Sequence, residues 1–292
     1  MLFRSVRAFK PGNVSIAYPL HDMNEGDFIR SALAILDPIT TPHASVGERI
    51  EKAIQATRQV VDCNTNLGIV LLLAPIVKAV EHLEPPISQT ALQNSLNDTL
   101  SHLTKEDAEA CYRAIRMAAP SGLGEVGAED IAQAPTESLR SVMQRAASWD
   151  EIARAYAEGY QSLWDIGVTG LIQALDRGRP LLWATTEIYL SFLEALPDSH
   201  LVRRHGAEAG AIVQHMAKKM IQSWKACGDA AIAWKTLQSF DFDLKSQKFN
   251  PGTSADLSIA SLLLLHLMEP RGYNARRQLS LGQRFSARPN IG

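Results

Sequence analysis

The chain has 292 residues with 29 basic and 31 acidic side chains, so no net field argues for nucleic acid or an anionic membrane as partner, and any anion site must be local. Hydrophobic residues make up 46% of it, enough to bury a large core. Its three cysteines, Cys63, Cys111 and Cys227, lie far apart, which fits the reduced thiols of a cytoplasmic protein better than a disulfide or zinc framework.

The first residues, MLFRSVRAFKPGN, contain no long apolar run, so no secretory signal is expected. Within them Lys10-Pro-Gly-Asn13 predicts a turn in which Gly12 permits close backbone approach and Lys10 offers a point charge suited to phosphate. His21, Asp22 and Asp27 follow. Phe28, Ala32, Ile35 and Leu36 recur at helical spacing, predicting a helix over 24–37. The next helix, 45–61, carries Glu48 and Glu51 three apart on one face. Cys63-Asn-Thr-Asn-Leu-Gly68 then opens an almost uninterrupted aliphatic run, read as a buried helix over 66–82.

Helices over 88–101 and 104–117 follow, with Ser88 and Thr104 as N-caps and Asp107 at the capping-box offset from Thr104. Arg113 and Arg116, three apart on the second of these, could face one anion together. Gly122-Leu-Gly-Glu-Val-Gly127 has the letters of a dinucleotide-binding loop but follows a helical pattern and no strand, so that reading fails. Further helices are predicted over 136–147, 148–175, 181–195, 198–224, 227–238 and 253–268, with Ser148 as cap and Glu151 at its capping-box offset. Asn250-Pro-Gly-Thr-Ser254 repeats the chemistry of the first turn just before Asp256 and the second aliphatic run.

Neither aliphatic run, Leu67 to Val77 or Leu257 to Met268, reaches the ~20 residues of a membrane span. The scattered histidines, His200 among them, read as surface or packing residues, and the five tryptophans read as core. Alternation at period two is scarce, and no Gly-, Ser- or Pro-rich linker divides the chain. The expected fold is therefore all-α: a single-domain bundle of about ten to twelve helices over 1–270, followed by a basic tail at 271–292 with five arginines and no acid.

Two polar turns, Asn64 to Gly68 and Asn250 to Asp256, each open a buried helix. Such corners offer backbone N–H groups beside a local positive dipole, a natural anion site. The dispersed carboxylates suit a Mg²⁺ shared with a polyphosphate, which asks for only one or two of them.

Taken together, KPGN at 10–13, HDM at 21–23, GDF at 26–28, NTNLG at 64–68, YRAIR and PSGLGEV within 112–126, and NPGTSADL at 250–257 resemble the triphosphoribosyl-dephospho-CoA synthase family. The resemblance runs in order from residue 10 to about 268. It implies an all-α, Mg²⁺-dependent transferase that joins the ribose C1′ of ATP to the 2′-hydroxyl of 3′-dephospho-CoA and releases adenine. It assigns catalysis to Asp22, Glu48 and Asp256, with Asp22 and Glu48 also holding the metal. Nucleotide and phosphate fall to Lys10, Gly12, Asn13, Asn64, Thr65, Asn66, Gly68, Arg113, Arg116, Asn250, Gly252 and Thr253.

Its partners are a nucleotide and a coenzyme-like acceptor, with no nucleic acid and no membrane; a homodimer stays open. The transferases of lyase systems usually carry KPGLVDR and NTHKG, where this chain has KPGNVSI and NTNLG, so Ile16 and Leu67 replace two cations. The chain looks more like the archaeal-type branch. Two alternatives stand beside the named reaction: an ATP-dependent step in one-carbon carrier biosynthesis (tetrahydromethanopterin or methylofuran), and a helical binding protein without catalysis.

Overall fold

The computed structural model describes residues 7–14, 23–118, 131, 133–226 and 230–268. Among these residues the regular elements are helices, as the missing alternation predicts. The basic tail, the loop around Gly122 to Gly127, Asp22 and Ile16 lie outside the described residues.

The first helices start where the polar residues cap them. Asn24 and Asp27 form a capping box on α1 (Glu25–Ala34), and after the short α2 (Leu36–Thr40), Ser45 and Glu48 do the same for α3 (Val46–Val60). The buried α4 (Leu67–Ala79) runs into a 3₁₀ turn at Val80–His82. Ser88 caps α5 (Gln89–Ser101), and Thr104 exchanges bonds with Asp107 at the start of α6 (Lys105–Ala118). Ser138 caps α7 (Leu139–Ala146).

The helix expected over 148–175 is broken. Asp150, not Ser148, caps α8 (Glu151–Ala157), because its carboxylate takes both the Ile152 and Ala153 N–H groups. Gly159 and Tyr160 then adopt φ of +64°, ending α8 before a π-helical turn at Leu163–Val168 and α9 (Thr169–Asp176). This break serves α4. Pro75 lies inside α4 and has no N–H for the carbonyl of Leu71 four residues earlier. The Tyr156 hydroxyl donates to that carbonyl at 2.6 Å, and Tyr160 donates to Leu72 O at 3.0 Å.

The remaining helices are α10 (Leu181–Ala195), α11 (Ser199–Ala226, kinked at Gly206 with φ +86°), α12 (Ala230–Ser246) and α13 (Gly252–Met268). α12 runs past the predicted end at 238 because Phe240 and Leu244 continue its buried face.

Two apolar clusters share α10. Its Ala184, Ile188 and Phe192 join the larger one with α3, α4, α5 and α13, while its Tyr189, Leu190 and Leu193 join Phe9, α11 and α12 in the smaller. α13 is apolar on nearly every side and packs against α4, α10 and the π turn, which fixes its first turn beside that of α4. No helix among the described residues is long and apolar enough to cross a membrane.

Candidate functional site

Three turns that are far apart in sequence meet around one cavity of about 520 Å³. Lys10 and Asn13 reach it from the first turn, Asn64, Thr65, Asn66 and Gly68 from the second, and Asn250, Gly252, Thr253 and Asp256 from the third. The first and third turns dock on each other, with Asn13 Nδ2 donating to Asn250 Oδ1 at 2.9 Å. Gly12 makes that docking tight: its φ is +80°, and a Cβ there would sit 2.8 Å from Pro251 Cδ. It stands behind the wall rather than on it. Its N–H donates to the buried Asp241 carboxylate at 2.8 Å, which Lys245 holds at 3.0 Å.

The second turn is locked by two hydroxyl relays. Ser31 donates its proton to Asp27 O at 2.6 Å, so the Thr65 hydroxyl must donate to Ser31. Thr57 donates to Ala53 O at 3.0 Å and therefore accepts from Asn66 Nδ2 at 2.9 Å, leaving Asn66 Oδ1 buried without a partner. Asn64 Oδ1 accepts the Leu67 N–H at 3.1 Å. These side chains shape the corner and present the start of α4 to the cavity. At that start Gly68 makes room for a carboxyl group, since a Cβ there would lie 2.0 Å from Asp256 Oδ2.

Some of the backbone donors expected at these helix starts are used internally. Leu67 N–H goes to Asn64, and Ser254 N–H to Asp198 Oδ2 at 2.8 Å.

Burial pushes the Asp256 carboxyl well above the usual carboxylate range; Asp198 adds to the effect, and Lys10 and Arg203 oppose it. Burial likewise pulls Lys10 down to about 8, with Asp256 acting in the opposite sense. Any anion entering the cavity would raise both values, favouring a proton on Asp256 and a charge on Lys10.

Polar residues without a motif in the sequence also line the cavity, among them His200 and Arg203 of α11, Asp150 at the start of α8 and Arg145 of α7. Asp150 accepts two α8 N–H groups through one oxygen and pairs with Arg203 through the other, holding a guanidinium at the cavity wall. The one sequence signal of Asp150, His200 and Arg203 was position, in or beside the first turn of a helix. The lining of the cavity also includes the apolar side chains of Phe28, Ile115, Val142, Met143 and Trp149. Leu67, where the lyase-system enzymes have lysine, also lines it.

Other expected residues lie elsewhere. Arg113 forms a two-bond pair with Glu51, at 2.6 and 2.8 Å, and Arg116 donates to Ile131 O at 2.5 Å; neither side chain lines the cavity. Glu48 is exposed at the start of α3, accepting the Ser45 N–H at 2.8 Å, so its place in the site is replaced by a capping role. Glu48→Ala is therefore expected to lower stability by about 0.5–1.5 kcal/mol, read as a lower melting temperature, and to leave turnover at the wild-type rate.

Among the described residues no three His, Cys, Asp or Glu side chains gather as a metal cluster. Asp150 is engaged by Arg203, and Glu48 stands outside the cavity. Of the two carboxylates expected to hold Mg²⁺, Glu48 is thus turned elsewhere and Asp22 lies outside the described residues.

The family described as ATP:dephospho-CoA triphosphoribosyl transferase matches residues 2–275. The fold is similar to a crystal structure of a provisionally named triphosphoribosyl-dephospho-CoA synthase from Archaeoglobus fulgidus. The two share 22% identity and a TM-score of 0.66, over 84% of this chain and 99% of that one. No curated protein matches the chain.

Proposed function

Because the chain belongs to the ATP:dephospho-CoA triphosphoribosyl transferase family and is thus a transferase, we propose that it joins the ribose C1′ of ATP to a hydroxyl of 3′-dephospho-CoA and releases adenine. One observation carries this reading: the three polar turns gather Lys10, Asn250 and Asp256 on one cavity whose lining also includes a set of apolar side chains. Lys10 is the phosphate cation, and the first turn of α4 faces the same space. Arg203, held by Asp150, supplies a second cation on a wall where Leu67 offers none.

Breaking the bond from C1′ to adenine builds positive charge on the ribose, as in glycoside cleavage, and the purine leaves more easily when protonated. Asp256, whose carboxyl burial pushes well above the usual carboxylate range and which lines the cavity, is the group we assign to that transfer. We derive no step through a metal. Asp22 stays the candidate metal carboxylate, and an Asp22→Asn variant that keeps wild-type dependence on added Mg²⁺ would remove it.

The direct test is incubation of the protein with ATP, Mg²⁺ and 3′-dephospho-CoA, with free adenine separated by chromatography. Adenine release that requires both substrates is the expected result. ATP binding without adenine release sinks the named reaction.

A further inference from the structure

Resting on that reading, we propose that His200 is a second catalytic residue, the base that takes the proton from the attacking hydroxyl while Asp256 protonates the departing adenine. The geometry comes from α13. Gly252 and Asp256 are four residues apart and share one face of that helix, about one turn or ~5.4 Å of rise from each other. His200 packs its imidazole at Gly252, where a Cβ would lie 3.3 Å from its Cγ and 3.5 Å from its Cδ2. The two glycines of the polar turns therefore perform parallel tasks: Gly68 leaves room for the Asp256 carboxyl, and Gly252 leaves room for the His200 ring.

The ring is held in place and its nitrogens are available. The His200 backbone N–H donates to Thr253 Oγ1 at 3.1 Å, and Asp198, just before it, binds both the N–H and the hydroxyl of Ser254 at 2.8 Å. These bonds tie the first turn of α11 to the first turn of α13. Neither ring nitrogen of His200 has a hydrogen-bond partner among the described residues, and the residue lines the cavity. His205, the next histidine of the same helix, instead packs its ring against Phe249 and does not line it.

Electrostatics agree with this division. Burial lowers the pKa of His200 from the usual imidazole value; Asp198 opposes this, while Arg203, Arg204 and His205 add to it. Beyond its own helix the charged groups on the same cavity are Asp256 on α13, Asp150 at the start of α8 and paired with Arg203, Arg145 on α7 and paired with Glu137, and Lys10 of the first turn. The imidazole is thus neutral near pH 7 and can accept a proton, whereas the buried Asp256 carboxyl can give one.

The step balances without another reagent. The acceptor O–H proton moves to the imidazole, the oxygen forms its bond to C1′, and the bond from C1′ to adenine breaks with its electron pair leaving on the base. Adenine takes the Asp256 proton. Imidazolium and carboxylate are left, and solvent exchange resets both.

The test compares wild type with His200→Gln and His200→Ala, following adenine release from ATP and 3′-dephospho-CoA between pH 5 and 9. Expected are a fall in kcat of about 100- to 1,000-fold and ATP affinity within about twofold of wild type. The acid limb of the kcat/KM profile should disappear, and exogenous imidazole should partly restore His200→Ala in proportion to its free-base concentration. A merely structural histidine would not move the acid limb or respond to imidazole. If His200→Gln keeps wild-type kcat, or loses rate but retains the acid limb, the assignment is overturned. A wild-type protein that releases no adenine removes the proposed reaction itself, which separates the two failures.

Discussion

Asp256→Asn should lower adenine release by about 10²–10⁴-fold in kcat while the melting temperature holds or rises. The asparagine keeps the shape of the neutral carboxyl that burial already favours, so the pocket made by Gly68 stays filled. It cannot hand over a proton to a departing purine. ATP should bind about as tightly as in wild type, because one neutral side chain of the same shape replaces another. This pattern, binding intact and chemistry lost, is the one to look for in single-turnover kinetics beside calorimetric titration. An asparagine variant that turns over at the wild-type rate takes Asp256 out of the chemistry.

Lys10→Met should weaken ATP binding by roughly 10- to 100-fold at pH 7, the loss of a charge-assisted contact to phosphate. The pH dependence gives the sharper reading. Burial brings Lys10 to about 8, so it is charged below that value and loses its charge as pH rises through it. In the wild type the ATP dissociation constant should therefore climb from pH 7.5 to pH 9. The methionine variant should bind weakly throughout this window and show no such climb. Equal slopes in the two proteins would mean that Lys10 is not the phosphate cation.

The helices were legible because each begins with a local instruction. Ser88 and Thr104 with Asp107 cap the helices they were expected to cap, and the apolar spacing runs through to the observed ends of α4 and α13 within one to three residues. The miss at 148–175 has a tertiary cause. The chain turns at Gly159 and Tyr160 so that Tyr156 and Tyr160 serve the carbonyls of Leu71 and Leu72, 85 and 88 residues earlier, and no window of sequence reports that demand.

The candidate site divides in the same way. Lys10, Asn64 to Gly68 and Asn250 to Asp256 could be singled out because glycine and proline turns beside polar residues are local patterns. Glu48, Arg113 and Arg116 looked equally suitable and are turned elsewhere by a cap, an ion pair and a carbonyl. His200 and Arg203 carried no motif at all. They reach the cavity because the first turn of α11 is fastened to that of α13 by Asp198 and Thr253.

Local composition and spacing by themselves determined that this protein is all-α, where its buried helices begin, and which glycine-bearing corners face its polar centre, because caps, turns and periodicity act over a few residues. Only the tertiary structure decided what those glycines are for. Space left by a missing Cβ has meaning once a partner arrives from far along the chain: Asp256 at Gly68, His200 at Gly252 and Pro251 at Gly12.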